Sequence, residues 1–156
     1  MRSEHFVLDQ PGEHKVYIPF ETEGEEVEVV GIVRGTQPGE YNVDVVVDHI
    51  KGKSFGRVSV KAIAKNGARV KLSGMIKIRE GANGVDDFLE LRCLILDDKS
   101  TATAEPKLEI EANEVKASHA AAVSKIDEEQ LFYLSSRGIQ RVESEEMIVK
   151  GFLESK

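Results

Sequence analysis

Cys93, His5, His14, His49 and His119 are the soft and borderline metal ligands this chain can offer. A thiolate can hold iron, copper or zinc, and a neutral imidazole can join it. A metal centre needs several such groups to converge, and no motif gathers them here. There is no CxxC, HExxH, GxSxG elbow, P-loop or GxGxxG fingerprint. "REGANGVDD" (79–87) has two glycines, but they suit a turn, and its acids would repel a phosphate. The carboxylates of "ETEGEEVE" (21–28) and "SEE" (144–146) read as solvated loop and helix faces rather than as a general acid and base.

Each candidate also has a plain structural reading. His5 and His14 lie in a polar N-terminal segment and belong on the surface. His49 continues the apolar face of its strand, which suits a core histidine bonded to a backbone carbonyl. Cys93 sits on a strongly apolar strand and behaves as a small hydrophobe; a reactive thiolate would need an electropositive or metal-bound setting. His119 is set among Ala117, Ser118, Ala120, Ala121 and Ala122, small residues that let another backbone come close. Cys93 and His119 could meet only through the fold.

The elements that must position them are mostly strands. Apolar and polar residues alternate in "KVYIPF" (15–20), "VEVVGIV" (27–33), "NVDVVVDHI" (42–50), "GRVSVKAIAK" (56–65), "ARVKLSGMIKI" (68–78), "DFLELRCLIL" (87–96) and "KLEIEANEVKASHAAAV" (107–123). That is the period of a half-buried strand, and β-branched residues fill it. Val43, Val45, Val47 and His49 share one face; Val70, Leu72, Gly74, Ile76 and Ile78 share another. Pro38-Gly39, Asn66-Gly67 and Asn83-Gly84 mark turns. Asn-Gly between alternating runs is a hairpin signal, so pattern alone favours an antiparallel sandwich, with a β-solenoid as the rival.

The period changes at Ile126. "IDEEQLFYLSSRG" predicts a short helix with Asp127 at the N-cap, Gln130 three residues on, Glu128 and Glu129 at its positive end and Gly138 just past its close. "ESEEMIVKGFLES" predicts a second, with Met147, Ile148, Phe152 and Leu153 on its apolar side. Both are too short to stand alone and must pack on something.

The 156 residues suit one domain, and the net charge of −7 opposes attraction to nucleic acid or anionic membrane. The interrupted run Lys51/Lys53/Arg57/Lys61/Lys65 reads as a solvated strand face. One cysteine forbids an internal disulfide and fits a reducing compartment. No apolar stretch approaches the roughly 18 residues of a membrane span, nor is there a signal-type h-region, so the expected place is the cytoplasm.

From Pro106 onward the chain becomes specific. "PKLEIEANEVKASHAAAVSKIDEEQLFYLSSRGI", followed by "EEMIVKGF", closely resembles the C-terminal part of the SufB/SufD family of SUF iron–sulfur cluster assembly proteins. The likeness thins upstream, where His49, Ser54 and Gly74 fall at family rung positions, and extends from about residue 27. The resemblance implies a right-handed parallel β-helix over residues 1–125 and a C-terminal helical segment over 126–156. Asn-Gly pairs then become solenoid corners.

It also implies a role. Such a protein is a non-enzymatic scaffold on which a transient iron–sulfur cluster is built, with its C-terminal helices docked on the ABC-type ATPase SufC. The β-helices pair side by side, as a SufB/SufD-like heterodimer or here a homodimer. Gln130, Leu131, Phe132, Tyr133, Arg137 and Gly138 fall on the docking segment. His119 matches the SufD histidine at the paired junction, which makes His119 and Cys93 the cluster or interface candidates. The SufB junction cysteine falls on Leu91, two residues before Cys93, and Ala120 stands where SufB has glutamate and SufD glycine. An adaptor that binds the ATPase but no cluster is the alternative. A carbohydrate-active β-helix enzyme would need a carboxylate cluster that the sequence does not display.

Overall fold

The period-two alternation produces nine strands in the computed structural model, which describes all of residues 1–156. In chain order they are β1 (Arg2–Leu8), β2 (Gly12–Phe20), β3 (Glu26–Gly35), β4 (Gly39–His49), β5 (Phe55–Ala64), β6 (Ala68–Ile78), β7 (Asp86–Ile95), β8 (Thr101–Ile110) and β9 (Lys116–Lys125). Two helices follow, α1 (Glu128–Ser136) and α2 (Arg141–Glu154).

Every strand pairing is parallel. Odd strands form one sheet in the order β1-β3-β5-β7-β9, and even strands form the other, β2-β4-β6-β8. The chain therefore winds as a solenoid, one odd and one even strand per turn. Side chains bonded across neighbouring rungs are 29 to 31 residues apart, as in Asn42–Glu13, Asn66–Thr36 and Ser59–Glu90. The antiparallel sandwich favoured by pattern alone is thus corrected. Asn66 (φ 59°), Gly67 (φ 84°) and Gly84 (φ 75°) adopt the left-handed backbone that a hairpin would also demand, so the local signal is the same at a solenoid corner.

One strand boundary differs. The run 107–123 is two strands, β8 and β9, parted by a corner at 111–115, while the polar N-terminal segment forms β1 and completes a rung with β2, as a β-helix over residues 1–125 implies. His5 lies exposed on β1, while His14 is half-buried with Nε2 2.7 Å from the Gln10 carbonyl.

Alternate side chains turn inward. Val27, Val29, Val43, Val45, Val58, Val60, Leu72, Ile76, Leu89 and Leu91 belong to one 23-residue core that fills the space between the sheets. The interior is tight enough to require glycine at Gly74, where a Cβ would stand 2.6 Å from Leu89 Cδ2.

One corner repeats a left-handed residue in four successive rungs: Gly24 (φ 74°), Lys53 (φ 54°), Gly84 (φ 75°) and Glu114 (φ 55°). An L side chain there costs about 1–2 kcal/mol. Glu114 is exposed, so Glu114→Gly is expected to raise stability by roughly 0.5–1 kcal/mol after the glycine's extra unfolded-state entropy. Urea denaturation reads this directly; a loss of stability would show that the side chain contributes more than its strain.

The helices lie on the outer face of the odd-strand sheet. Asp127 caps α1 by accepting the Glu129 N–H at 2.9 Å; Gln130 completes no reciprocal box and instead faces a cleft. Arg137 is the C-cap, and Gly138 (φ 84°) turns the chain away. α2 starts two residues earlier than the pattern suggested, at Arg141. Ile63, Leu94, Leu96, Ile126, Leu131 and Leu153 form a second core between helices and sheet. Lys61 is corrected from the solvated-face reading. It is only 4% exposed, and its Nζ donates to the Ser155 carbonyl and, at 2.8 Å, to Ser155 Oγ. Burial, reinforced by the Arg92 charge, lowers its pKa. No helix is long and apolar enough to cross a membrane.

Candidate functional site

The last turn of the solenoid has no rung above it. β8 and β9 are the terminal strands of their sheets, so each presents an unpaired edge and uncovered inward side chains. Inward positions follow from register: Ile76 and Ile78 in the core pair with Leu108 and Ile110, while Leu89, Leu91 and Cys93 pair with His119, Ala121 and Val123. Leu108, Ile110 and Val123 are consequently about two-fifths exposed. His119 stands in the middle of this apolar end, pointing the way a core residue would, yet open to solvent. Its neighbours Ala117, Ala120, Ala121 and Ala122 keep the surface low.

Cys93 lies one rung below. It is 1% exposed, and desolvation pushes its thiol up to about 12, so it is a neutral core thiol. Its register partner is Val123, four residues past His119, a separation of about 13 Å along a strand. The fold puts both on the same inward face but does not bring them together. No three His, Cys, Asp or Glu side chains cluster closely enough to hold a metal ion.

His49 is the core residue its strand parity predicts, and only its hydrogen-bonding differs from that expectation. It is fully buried and stacked on Phe20, with centroids 4.1 Å apart. Its partners are side chains rather than a backbone carbonyl: Ser54 Oγ lies 2.7 Å from Nδ1, and Asp87 Oδ2 lies 3.2 Å from Nε2. The Ser54 hydroxyl donates to the Lys51 carbonyl at 3.2 Å, so it accepts from Nδ1–H. Nε2 then faces the Asp87 carboxyl at 3.2 Å, but the approach completes no hydrogen bond, and Nε2 and both Asp87 oxygens are left without a hydrogen-bond partner. Asp87 Oδ1 has no hydrogen-bond partner and sits 2.2 Å from where a Cβ on Gly56 would be. This unit ties the end of β4, the corner after it and the start of β7. Asp87 closes the turn stretch 79–87 and opens the strand run 87–96, and its role beside His49 is not predicted from the sequence. Its spacing of two and four from Leu89 and Leu91 was the signal that it points inward.

The helices supply the second surface. Phe132 is 76% exposed, and Tyr133, Val142 and Met147 are more than half exposed. Asp127, Glu129, Gln130, Tyr133, Leu134 and Met147 line most of a cleft of about 450 Å³ between α1 and α2. Arg137 lies over the Tyr133 ring at 5.3 Å and donates to its hydroxyl at 3.1 Å, which holds the aromatic in place. Leu131 is buried and fastens α1 to the sheet instead of facing outward. Gly138 acts through the backbone as the helix stop.

A parallel β-solenoid with an uncovered apolar end at β8 and β9 and a helical pair laid along one sheet defines a class of β-helix proteins. The chain belongs, within that class, to the SufBD core domain family of SUF-system iron–sulfur cluster assembly, which matches residues 12–152. It is similar to the iron–sulfur cluster assembly protein SufB of Bacillus subtilis, 41% identical over 106 residues, or 68% of this chain and 23% of that protein. It is also similar to an iron–sulfur cluster assembly SufBD family protein of Staphylococcus aureus, 45% identical over 94 residues, or 60% of this chain and 20% of the relative. The chain thus spans less than a quarter of the length of these relatives.

Proposed function

We propose that this chain is a non-enzymatic scaffold in iron–sulfur cluster assembly that docks a SufC-type ABC ATPase through α1 and α2. It pairs through its β-helix, along the β9 edge, with a second SufB/SufD-like β-helix or a second copy of itself. The observation that carries the docking reading is the exposed apolar face of Phe132, Tyr133 and Met147 on helices whose other side is already satisfied by the sheet. Aromatic and arginine side chains are strong interface anchors, and Tyr133 is held ready by Arg137. The pairing reading rests on the edge strand β9 and the uncovered Leu108, Ile110 and Val123. It places His119 at the junction, where a nascent cluster would be the cargo. Residues 1–125 would be the β-helix unit and 126–156 the docking unit, both working in the cytoplasm.

The test is affinity for a purified SufC-type ATPase. Tyr133→Ala is expected to weaken binding by roughly 2 kcal/mol, about thirtyfold, with the unfolding midpoint unchanged. Unaltered affinity would remove the helices from the interface. The burial of Cys93 favours a second reading, an adaptor that carries no cluster. Anaerobic reconstitution with iron and sulfide decides between them: the scaffold predicts iron bound by the native chain and lost in His119→Ala, while the adaptor predicts none in either.

A further inference from the structure

The chain has 13 glycines, and twelve have a reason within the fold. Gly12, Gly24, Gly39, Gly67, Gly81, Gly84 and Gly138 have positive φ; at Gly31, Gly35, Gly52, Gly56 and Gly74 a Cβ would come within 3 Å of other atoms. Gly151 has neither reason. It lies inside α2 with ordinary helical backbone, it is exposed, and an added Cβ would meet nothing within 4 Å. A glycine in a helix interior weakens the helix relative to alanine, so this chain alone would be more stable without it. Gly151 is four residues after Met147 and three after Ile148, which puts it on their side of α2, one turn beyond the residues that line the α1–α2 cleft. The charged residues lining that cleft, Asp127 and Glu129, are both acidic, and Glu129 has no ion-pair partner.

We propose that Gly151 is a contact point for the docked protein, which lays its main chain against α2 there, sets an apolar ridge over Met147 and Tyr133, and points Lys or Arg side chains at Glu129. The bare backbone is what permits the approach, because any Cβ would stand in the partner's place. The inference rests on the docking reading and specifies the occupant: a basic segment with an apolar face, close-packed at one residue.

Gly151→Ala separates this role from a structural one because the two effects have opposite sign. The variant is expected to melt at a higher temperature while binding a SufC-type ATPase about tenfold more weakly. Glu129→Lys is expected to weaken binding as well, and to flatten its decline with added salt. A Gly151→Ala chain that is more stable and binds normally overturns the proposal, and Tyr133→Ala in the same assay shows whether docking itself survives. A Gly151→Ala chain that is less stable also overturns it, since the glycine would then serve the fold. An ATPase that fails to bind even the native chain removes the docking reading and this inference with it.

Discussion

Asp87→Ala is expected to cost about 3–5 kcal/mol, because it strands a buried imidazole whose Nδ1–H is already committed to Ser54 and whose Nε2 loses its only neighbour of opposite character. Both side chains are fully buried, so no water replaces the lost partner. His49→Phe keeps the stack on Phe20 but takes away the only polar side chain facing Asp87, whose oxygens already lack hydrogen bonds, and is expected to cost a similar amount. The double variant His49→Phe/Asp87→Ala removes the isolated charge as well as its partner. Its loss should fall short of the summed single losses by about 1–3 kcal/mol. Equilibrium denaturation of the four chains measures this. Additive losses would mean that the 3.2 Å approach carries no energy and that the two residues matter only for packing.

A second large effect appears in base. The Cys93 thiol ordinarily titrates near 9, and burial holds it at about 12 in the folded protein. A raised folded-state pKa means stability that is intact below the unfolded value and lost as pH rises through the folded one. The unfolded chain then releases a proton that the folded chain retains. Between pH 9 and pH 12 this group alone is expected to remove about 1.4 kcal/mol per pH unit, approaching about 4 kcal/mol. Cys93→Ala leaves a small cavity costing about 1 kcal/mol at every pH, so the two stability curves should converge and then cross. Parallel curves would place the thiol in contact with solvent or with a cation.

Much of the fold was readable because strand alternation is a local property. The apolar faces of β4 and β6 were identified residue by residue, and Asp127 and Gly138 bracketed α1 correctly. Strand direction was not readable from the same residues. Asn66 and Gly67 take the backbone a hairpin would use, and only ladder partners some thirty residues away make the sheet parallel. The resemblance in residues 106–152 resolved that choice where periodicity could not.

The site was less legible. His119 is written with the parity of a core residue, and its exposure comes from the missing rung above β9, not from its own neighbours. Lys61 has the parity of a solvent-facing residue, and its burial comes from α2 closing over it from 94 positions away. Asp87 looked like a turn acid because charge is a stronger cue to exposure than parity, and only the space above Gly56 makes its burial possible.

The junction between the solenoid and the helices is also a load path. β9 runs straight into α1 through Ile126 and Asp127, and the Ile126 N–H still bonds the Ile95 carbonyl at 2.8 Å, one step beyond the last strand residue. A partner that shifts α1 therefore pulls on the edge strand that carries His119 before it strains any interior rung. β9 has a neighbouring strand on one side only, so the force tends to peel it from β7 one bond at a time. Motion in the helices would thus be converted into a change at the open end, some ten residues upstream, without disturbing the stack beneath.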